Sequence, residues 1–341
     1  MNKLRSRFSV RARQAGLSIV ELMVSLLISM FLIAGAVTVL VNSRTTYTIS
    51  DDMAKLQENL RIASQFLTRD IRMAGYYGCS NTQDTVNNLI ALGDELYART
   101  DAIEGLEGSA ATVAWKPSDS NDLVASITGG TDGITIRSLV GGQGFELNTA
   151  MADTSSDIQI DANSGFTANS LAAIYNCSSA NLFQVSAVTS GANDVLEHAT
   201  ALGQAYTDAT VAPVFFIRYF IGAGTGGPSL FRQVYDGAAV STQELVEGIE
   251  TMQFLYGIDT DADGVPNSYV EADDVADWNN VVAVRFGLLG RTIAPYAGDG
   301  EYVLLDENKT YNVIGTVIAD PEDRRTRQVV SNTVLLRNLQ P

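Results

Sequence analysis

The sequence predicts an α+β protein: one long N-terminal helix, transmembrane in its first half, packed on a β-rich globular domain. From Leu17 to Val41 the chain is apolar or small and neutral, apart from Glu21. Beyond that run, Leu56, Leu60, Ala63, Leu67, Ile71 and Ala74 recur every three or four residues, which places them on one helix face. From Tyr76 onward, short β-like runs alternate with turns rich in Gly, Asn, Asp and Ser.

The first 16 residues form a basic leader with Lys3, Arg5, Arg7, Arg11 and Arg13 and no acid. The apolar stretch from Leu17 to Val41 would span about 37 Å as a helix, enough for a bilayer core of roughly 30 Å. Cations before it place the leader in the cytoplasm and the rest of the chain outside. A secretory signal would carry its small-residue cleavage site after the apolar stretch. Here the processing point, Gly16 followed by Leu17, comes before it, so cleavage would remove the charges and keep the helix. An uncleaved signal anchor explains the run and its orientation equally well, but leaves Glu21 unexplained. A carboxylate costs up to roughly 2.5–3.5 kcal/mol at the bilayer centre. In the first turn of a helix the dipole offsets part of that cost.

Helical spacing continues to about Ala74, with Asp51, Asp52, Lys55, Glu58, Arg61 and Arg69 on other faces and Gly75 and Gly78 as stops. No proline interrupts it, and Gly35 is its one flexible point within the span. The expected organisation is therefore a leader at 1–16, a helix at 17–75 with its transmembrane part at 17–41, and a globular domain at 76–341.

In that domain, strands are expected at Gly133–Leu139, Ser156–Ile160, Leu182–Val188, Val214–Ile221, Leu230–Tyr235, Met252–Asp259, Val281–Leu289 and Val329–Arg337. Val240–Ile249 reads as a short helix or loop. Gly222, Gly224 and Gly227 satisfy a dinucleotide-binding glycine pattern. Pro228 and a strand-like run follow where that fingerprint needs a helix, so a hairpin loop is the better reading.

Formal net charge is −17, and removing the five leader cations takes it to −22. Such a surface repels phosphate backbones, which argues against direct nucleic-acid binding. The single histidine, His198, rules out any two-histidine metal motif, and no nucleophile elbow is present, so no enzymatic activity and no required cofactor are expected. Cys79 and Cys177 are the only cysteines. Outside the cytoplasm an even count points to one disulfide, the alternative being two buried thiols. Closing a loop of that length would stabilise the domain by up to roughly 4–5 kcal/mol in the chain-entropy model. One loop carries a metal signal. Asp259, Asp261 and Asp263 alternate before Gly264, with the Val265 carbonyl and Asn267 as further oxygen donors, a pattern that suits calcium. Its other reading is an acidic turn.

The order of basic leader, glycine, apolar helix and a glutamate five residues past the glycine resembles a type IV prepilin. Three later phrases resemble the PilW family of minor pilin-like assembly proteins. They are Ala74-Gly-Tyr-Tyr-Gly-Cys79, Leu245-Val-Glu-Gly-Ile-Glu-Thr-Met-Gln-Phe-Leu-Tyr-Gly-Ile-Asp259, and the ending that runs from Arg324-Arg to Val334-Leu-Leu-Arg-Asn338. The resemblance implies cleavage between Gly16 and Leu17 by prepilin peptidase and methylation of the new amine. It also implies pairing of Glu21 with the amine of a neighbouring subunit. Implied partners are other minor pilins and the major pilin, with residence in the bacterial inner membrane and passage to the pilus tip. The missing helix proline departs from many major pilins. A type II secretion pseudopilin would share the N-terminal chemistry, and a membrane-anchored adhesin or hydrolase would need only the anchor.

Overall fold

A single helix, α1 (Ile19–Arg72), runs for 54 residues. The structure, a computed structural model, describes residues 16, 18–78, 86–90, 101–108, 128–139, 143–295, 309–321 and 323–339. The chain divides into two compact units, Met1–Asp51 and Asp52–Pro341.

In the first unit the described helical residues are almost all exposed, the apolar ones included. An apolar helix with no protein around it is long and apolar enough to cross a membrane.

In the second unit, α1 buries Leu56, Leu60, Ala63, Leu67, Asp70 and Ile71, the apolar stripe expected from the spacing plus one carboxylate. Each fully buried Leu or Ile contributes about 1.5–3 kcal/mol. After Arg72 the chain turns at Gly75, whose φ of 70° lies in the left-handed region. The Gly75 N–H donates to the Arg137 carbonyl at 2.9 Å, which fastens the helix end to the domain.

The strands are β1 (Val86–Asn88), β2 (Ile103–Leu106), β3 (Gly133–Ser138), β4 (Phe145–Glu146), β5 (Ile158–Asp161), β6 (Leu171–Tyr175), β7 (Ala180–Ser190), β8 (Asn193–His198) and β9 (Thr210–Pro213). They continue with β10 (Phe215–Gly224), β11 (Gly227–Tyr235), β12 (Val240–Glu247), β13 (Ile249–Ile258), β14 (Ser268–Val270), β15 (Val281–Arg291), β16 (Thr310–Val313), β17 (Thr316–Ala319) and β18 (Arg327–Leu335). A seven-stranded sheet has the order β4-β9-β6-β7-β8-β5, with β1 pairing parallel to β7. A five-stranded sheet has the order β12-β11-β10-β3-β2, and a four-stranded sheet the order β14-β13-β15-β18. Strands β16 and β17 form a separate hairpin.

The core under α1 draws on both smaller sheets. Leu56, Leu60, Leu67 and Ile71 pack in one cluster with Ile136, Tyr219 and Leu230 and with Phe254, Phe286 and Leu288. The seven-stranded sheet has its own apolar cluster around Ile160, Phe183, Leu196 and Val211. Gly290 in β15 lets the helix approach, because a Cβ there would lie 2.9 Å from Leu56 Cδ1 and from Leu60 Cδ2.

The α+β architecture agrees with the sequence reading, and each expected strand has a counterpart among β3, β5, β7, β10, β11, β13, β15 and β18. One segment needs correction. Val240–Ile249 is neither helix nor loop: Val240–Glu247 is strand β12, and Ile249 begins β13. Residues Val240–Gln243 are exposed because β12 is an edge strand, so no apolar alternation marks it. Its pairing with β11, offset by a bulge at Leu230/Phe231, decides its conformation.

Candidate processing and assembly site

Gly16 is exposed at the head of the helix, and Leu17 lies outside the described residues. Ser18 caps α1. Its Oγ accepts the Val20 N–H at 3.3 Å, which satisfies one of the otherwise unpaired donors, and its carbonyl accepts the Leu22 N–H at 3.0 Å as the first bond of the helix. Glu21 falls in the first turn, where the positive end of the dipole favours its charge, and it is solvent-exposed. The apolar side chains after it, from Leu22 to Val41, are exposed, so Glu21 is the single carboxylate on an otherwise apolar rod. Hydroxyls along the rod are satisfied internally. Ser25 donates to the Leu22 carbonyl at 2.9 Å, Ser29 to Ser25 at 2.7 Å and Thr38 to Ala34 at 3.0 Å.

At its other end α1 is locked to the β domain through Asp70, which is fully buried. The Tyr219 hydroxyl donates to its Oδ2 at 2.6 Å, Arg232 Nε reaches the same oxygen at 3.2 Å, and Arg69 Nε holds Oδ1 at 3.0 Å. Burial first, and then the Asp70 charge, hold the Tyr219 hydroxyl far above the usual phenol range. Asn59 Nδ2 donates to the Glu247 carbonyl at 3.0 Å, Asn332 Nδ2 to Thr68 Oγ1 at 3.1 Å and Asn338 Nδ2 to the Ala74 carbonyl at 3.1 Å. The apolar spacing predicts the stripe but gives no sign of Asp70, since a single acid in a helix reads as a solvated face.

Asp259, Asp261 and Asp263 do come together, with one oxygen of each within 4.8 Å of the others. They sit in the loop of the β13–β14 hairpin, with Asp259 buried and the other two exposed. Asp259 Oδ1 accepts the Ala262 N–H at 2.8 Å and the Asp261 N–H at 3.1 Å, and Oδ2 accepts the Gly264 N–H at 2.7 Å. Gly264 takes a φ of 79° to make this turn. The side-chain oxygen of Asn267 accepts from Thr260, at 2.7 Å from its N–H and 2.9 Å from its hydroxyl. The Val265 N–H closes on Asp263 Oδ1 at 2.8 Å. Main-chain donors thus shape the loop by themselves.

Cys79 lies outside the described residues. Cys177 is exposed in the turn between β6 and β7, where the Asn176 side chain accepts the Ser178 and Ser179 N–H groups at 2.9 and 3.1 Å. Gly78 lies against the Tyr175 ring, too close for any Cβ. His198 is engaged at both ring nitrogens, Nδ1 with the Thr200 carbonyl at 2.8 Å and Nε2 with the Ser156 carbonyl at 3.1 Å. Gly224 pairs with Gly227 across a two-residue β10–β11 hairpin, so no helix follows the glycines and no phosphate cradle forms.

Residues 11–37 match the prokaryotic N-terminal methylation motif, and residues 218–338 match the family of the type IV pilus-assembly protein W. Those two stretches are similar to a PilW-family, pilin-like protein. No curated protein and no solved structure matches it. The PilW match takes in the four-stranded sheet, β10 to β12 apart from the first residues of β10, and both Tyr219 and Arg232, which hold Asp70. The seven-stranded sheet lies outside both matches. The families are structural rather than enzymatic, and a single apolar N-terminal helix fits a membrane-anchored protein.

Proposed function

We propose that this is a minor pilin-like structural protein that primes or supports type IV pilus assembly. Prepilin peptidase would cut between Gly16 and Leu17 and methylate the new amine. The carrying observation is Glu21, a lone carboxylate in the first turn of an exposed apolar helix, within a match to the N-terminal methylation motif. In a low-dielectric bundle of such helices the N-terminal amine of a neighbour is the natural counter-charge. The chain would sit in the inner membrane by its one span, with the β domain outside the cytoplasm, and would pass to the pilus tip on assembly. Its partners would be the peptidase, other minor pilins and the major pilin. A type II secretion pseudopilin would carry the same N-terminus, and the PilW match weighs for the pilus.

Mass spectrometry of the mature chain, from cells with and without the peptidase, is expected to give a methylated Leu17 only when the enzyme is present. An intact Met1, or a cut beyond Val41, would sink the proposal. The same spectra test the Cys79–Cys177 disulfide. The seat of Gly78 on Tyr175, two residues before Cys177, supports that pair. Calcium at Asp259, Asp261 and Asp263 also belongs to this reading. It is expected to raise the melting temperature of the chain in a way that Asp261→Asn abolishes, and an unchanged melting temperature would remove the ion.

A further inference from the structure

Strand β18 ends the four-stranded sheet, and no described strand pairs with its outer side. It pairs with β15 from Arg327 to Leu335 without a bulge. Just beyond that ladder the Leu336 N–H donates to the Val282 carbonyl at 2.9 Å, and the Thr292 N–H donates to the Thr326 carbonyl, also at 2.9 Å. Those bonds fix the phase. Even-numbered residues of β18 bond to β15, while Val329, Ser331, Thr333 and Leu335 turn their main-chain groups outward. Natural edges are blunted by charge, proline, a bulge or shortness. These four outward residues carry neither charge nor proline, and residues 331–333 are exposed. By contrast, the edge strands β2, β4, β5 and β14 have only two to four residues, and edge strand β12 is bulged.

One side chain stands where a neighbouring peptide would. Asn332 Oδ1 accepts the Thr333 N–H at 2.8 Å, and Asn332 Nδ2 donates to Thr68 Oγ1 of α1 at 3.1 Å. A carboxamide carries the donor and acceptor of a peptide unit, so it can take that place. A groove lies on either side of it. One, of about 720 Å³, is lined by Arg285, Ser331 and Thr333 with Asn312 and Gly315 of the β16–β17 hairpin. The other, of about 370 Å³, is lined by Ser64, Thr68, Arg69 and Arg72 of α1. Asn332 borders both. Helix α1 packs with Phe286 and Leu288 and the hairpin with Leu289, so the grooves lie on opposite faces of the sheet.

The chain has a formal net charge of −17, yet each groove presents a cation that no described carboxylate pairs. Arg72 is exposed. Arg285 lies over the Tyr269 ring at 4.1 Å and reaches Thr333 Oγ1 at 3.3 Å. We propose that the edge of β18 docks an extended, acidic segment of another protein, which adds to the sheet as a further strand. Its main chain bonds to Val329, Ser331 and Thr333 as Asn332 swings aside. Its side chains alternate between the faces, so adjacent carboxylates meet Arg285 in one groove and Arg72 in the other. The β18 of a second copy is a poorer occupant, because it brings the same cations to the same edge. This surface is separate from the N-terminal processing site and stands or falls apart from it.

The test is fluorescence anisotropy of two labelled peptides with the full chain in non-ionic micelles at low salt. One peptide is Thr-Val-Asp-Glu-Val-Thr and the other Thr-Val-Asn-Gln-Val-Thr. The acidic peptide is expected to bind about tenfold more tightly. Ser331→Pro keeps the bonds to β15 and removes an outward N–H, so it is expected to weaken both peptides by about tenfold. Arg285→Ala and Arg72→Ala are each expected to cost the acidic peptide about threefold and the neutral one nothing. Asn332→Ala clears the edge and is expected to tighten binding about fivefold, which a merely structural role would not do. Should Ser331→Pro not fold, hydrogen exchange of the unaltered chain decides, with slower exchange across residues 329–335 expected when the acidic peptide is bound. No binding at about 1 mM, equal binding of the two peptides, or unchanged exchange in β18 overturns the proposal. Self-association that Ser331→Pro abolishes and the acidic peptide leaves untouched assigns the edge to a second copy and overturns it too.

Discussion

Cells carrying Glu21→Ala are expected to insert and cleave the protein normally, yet to lose pili. Removing the charge makes insertion easier, by up to about 2.5–3.5 kcal/mol for a carboxylate at the bilayer centre, so membrane residence is not the property at risk. What disappears is the one group on an apolar, exposed helix that can recognise a cationic amine. A charge left unpaired among packed helices costs about 3–5 kcal/mol, or more than a hundredfold in an association constant. Glu21→Gln keeps the shape and is expected to fail similarly. Electron microscopy of surface pili, with cleavage followed by mass spectrometry, makes the measurement. Normal piliation in either variant would leave an anchored protein of some other kind.

Asp70→Ala is expected to lower the stability of the β domain by about 3–5 kcal/mol, because it leaves the Arg232 charge and the buried Tyr219 hydroxyl without their partner. Arg69 contributes little to that figure, since its side chain is 62% exposed and water takes over its solvation. The loss corresponds to a melting temperature lower by about 10 °C, measured by calorimetry or circular dichroism of the full chain in micelles. A drop of only a degree or two would mean that the apolar stripe from Leu56 to Ile71 holds the helix without help from the ion pairs.

The contrast between Leu60 and Asp70 shows what a sequence gives away. Leu60 belongs to a periodic set, and periodicity is local, so the helix and its buried face are legible in the spacing alone. Asp70 acquires its role from Tyr219 and Arg232, some 150 residues later in the chain, and no local pattern marks that meeting. Strands follow the same division. Buried β13 and β15 announce themselves by the apolar runs at Phe254–Ile258 and Val281–Val284, whereas edge strand β12 carries exposed polar residues and reads as something else. Of the candidate site, Gly16 and Glu21 could be proposed from the sequence because the motif that carries them lies within six consecutive residues. The burial of Asp132 is not legible there, since it depends on β13, whose Phe254 N–H it accepts at 2.8 Å.

The hydroxyls of Ser25, Ser29 and Thr38 all donate to carbonyls inside their own helix. From Leu22 to Val41 the span therefore carries no side-chain donor in search of an acceptor, and its surroundings can change from lipid tails to other helices without a hydrogen bond being made or broken. Such a segment is indifferent to which apolar medium it occupies. The free energy of moving it is then set by how closely neighbours fit and by where the charge of Glu21 comes to rest.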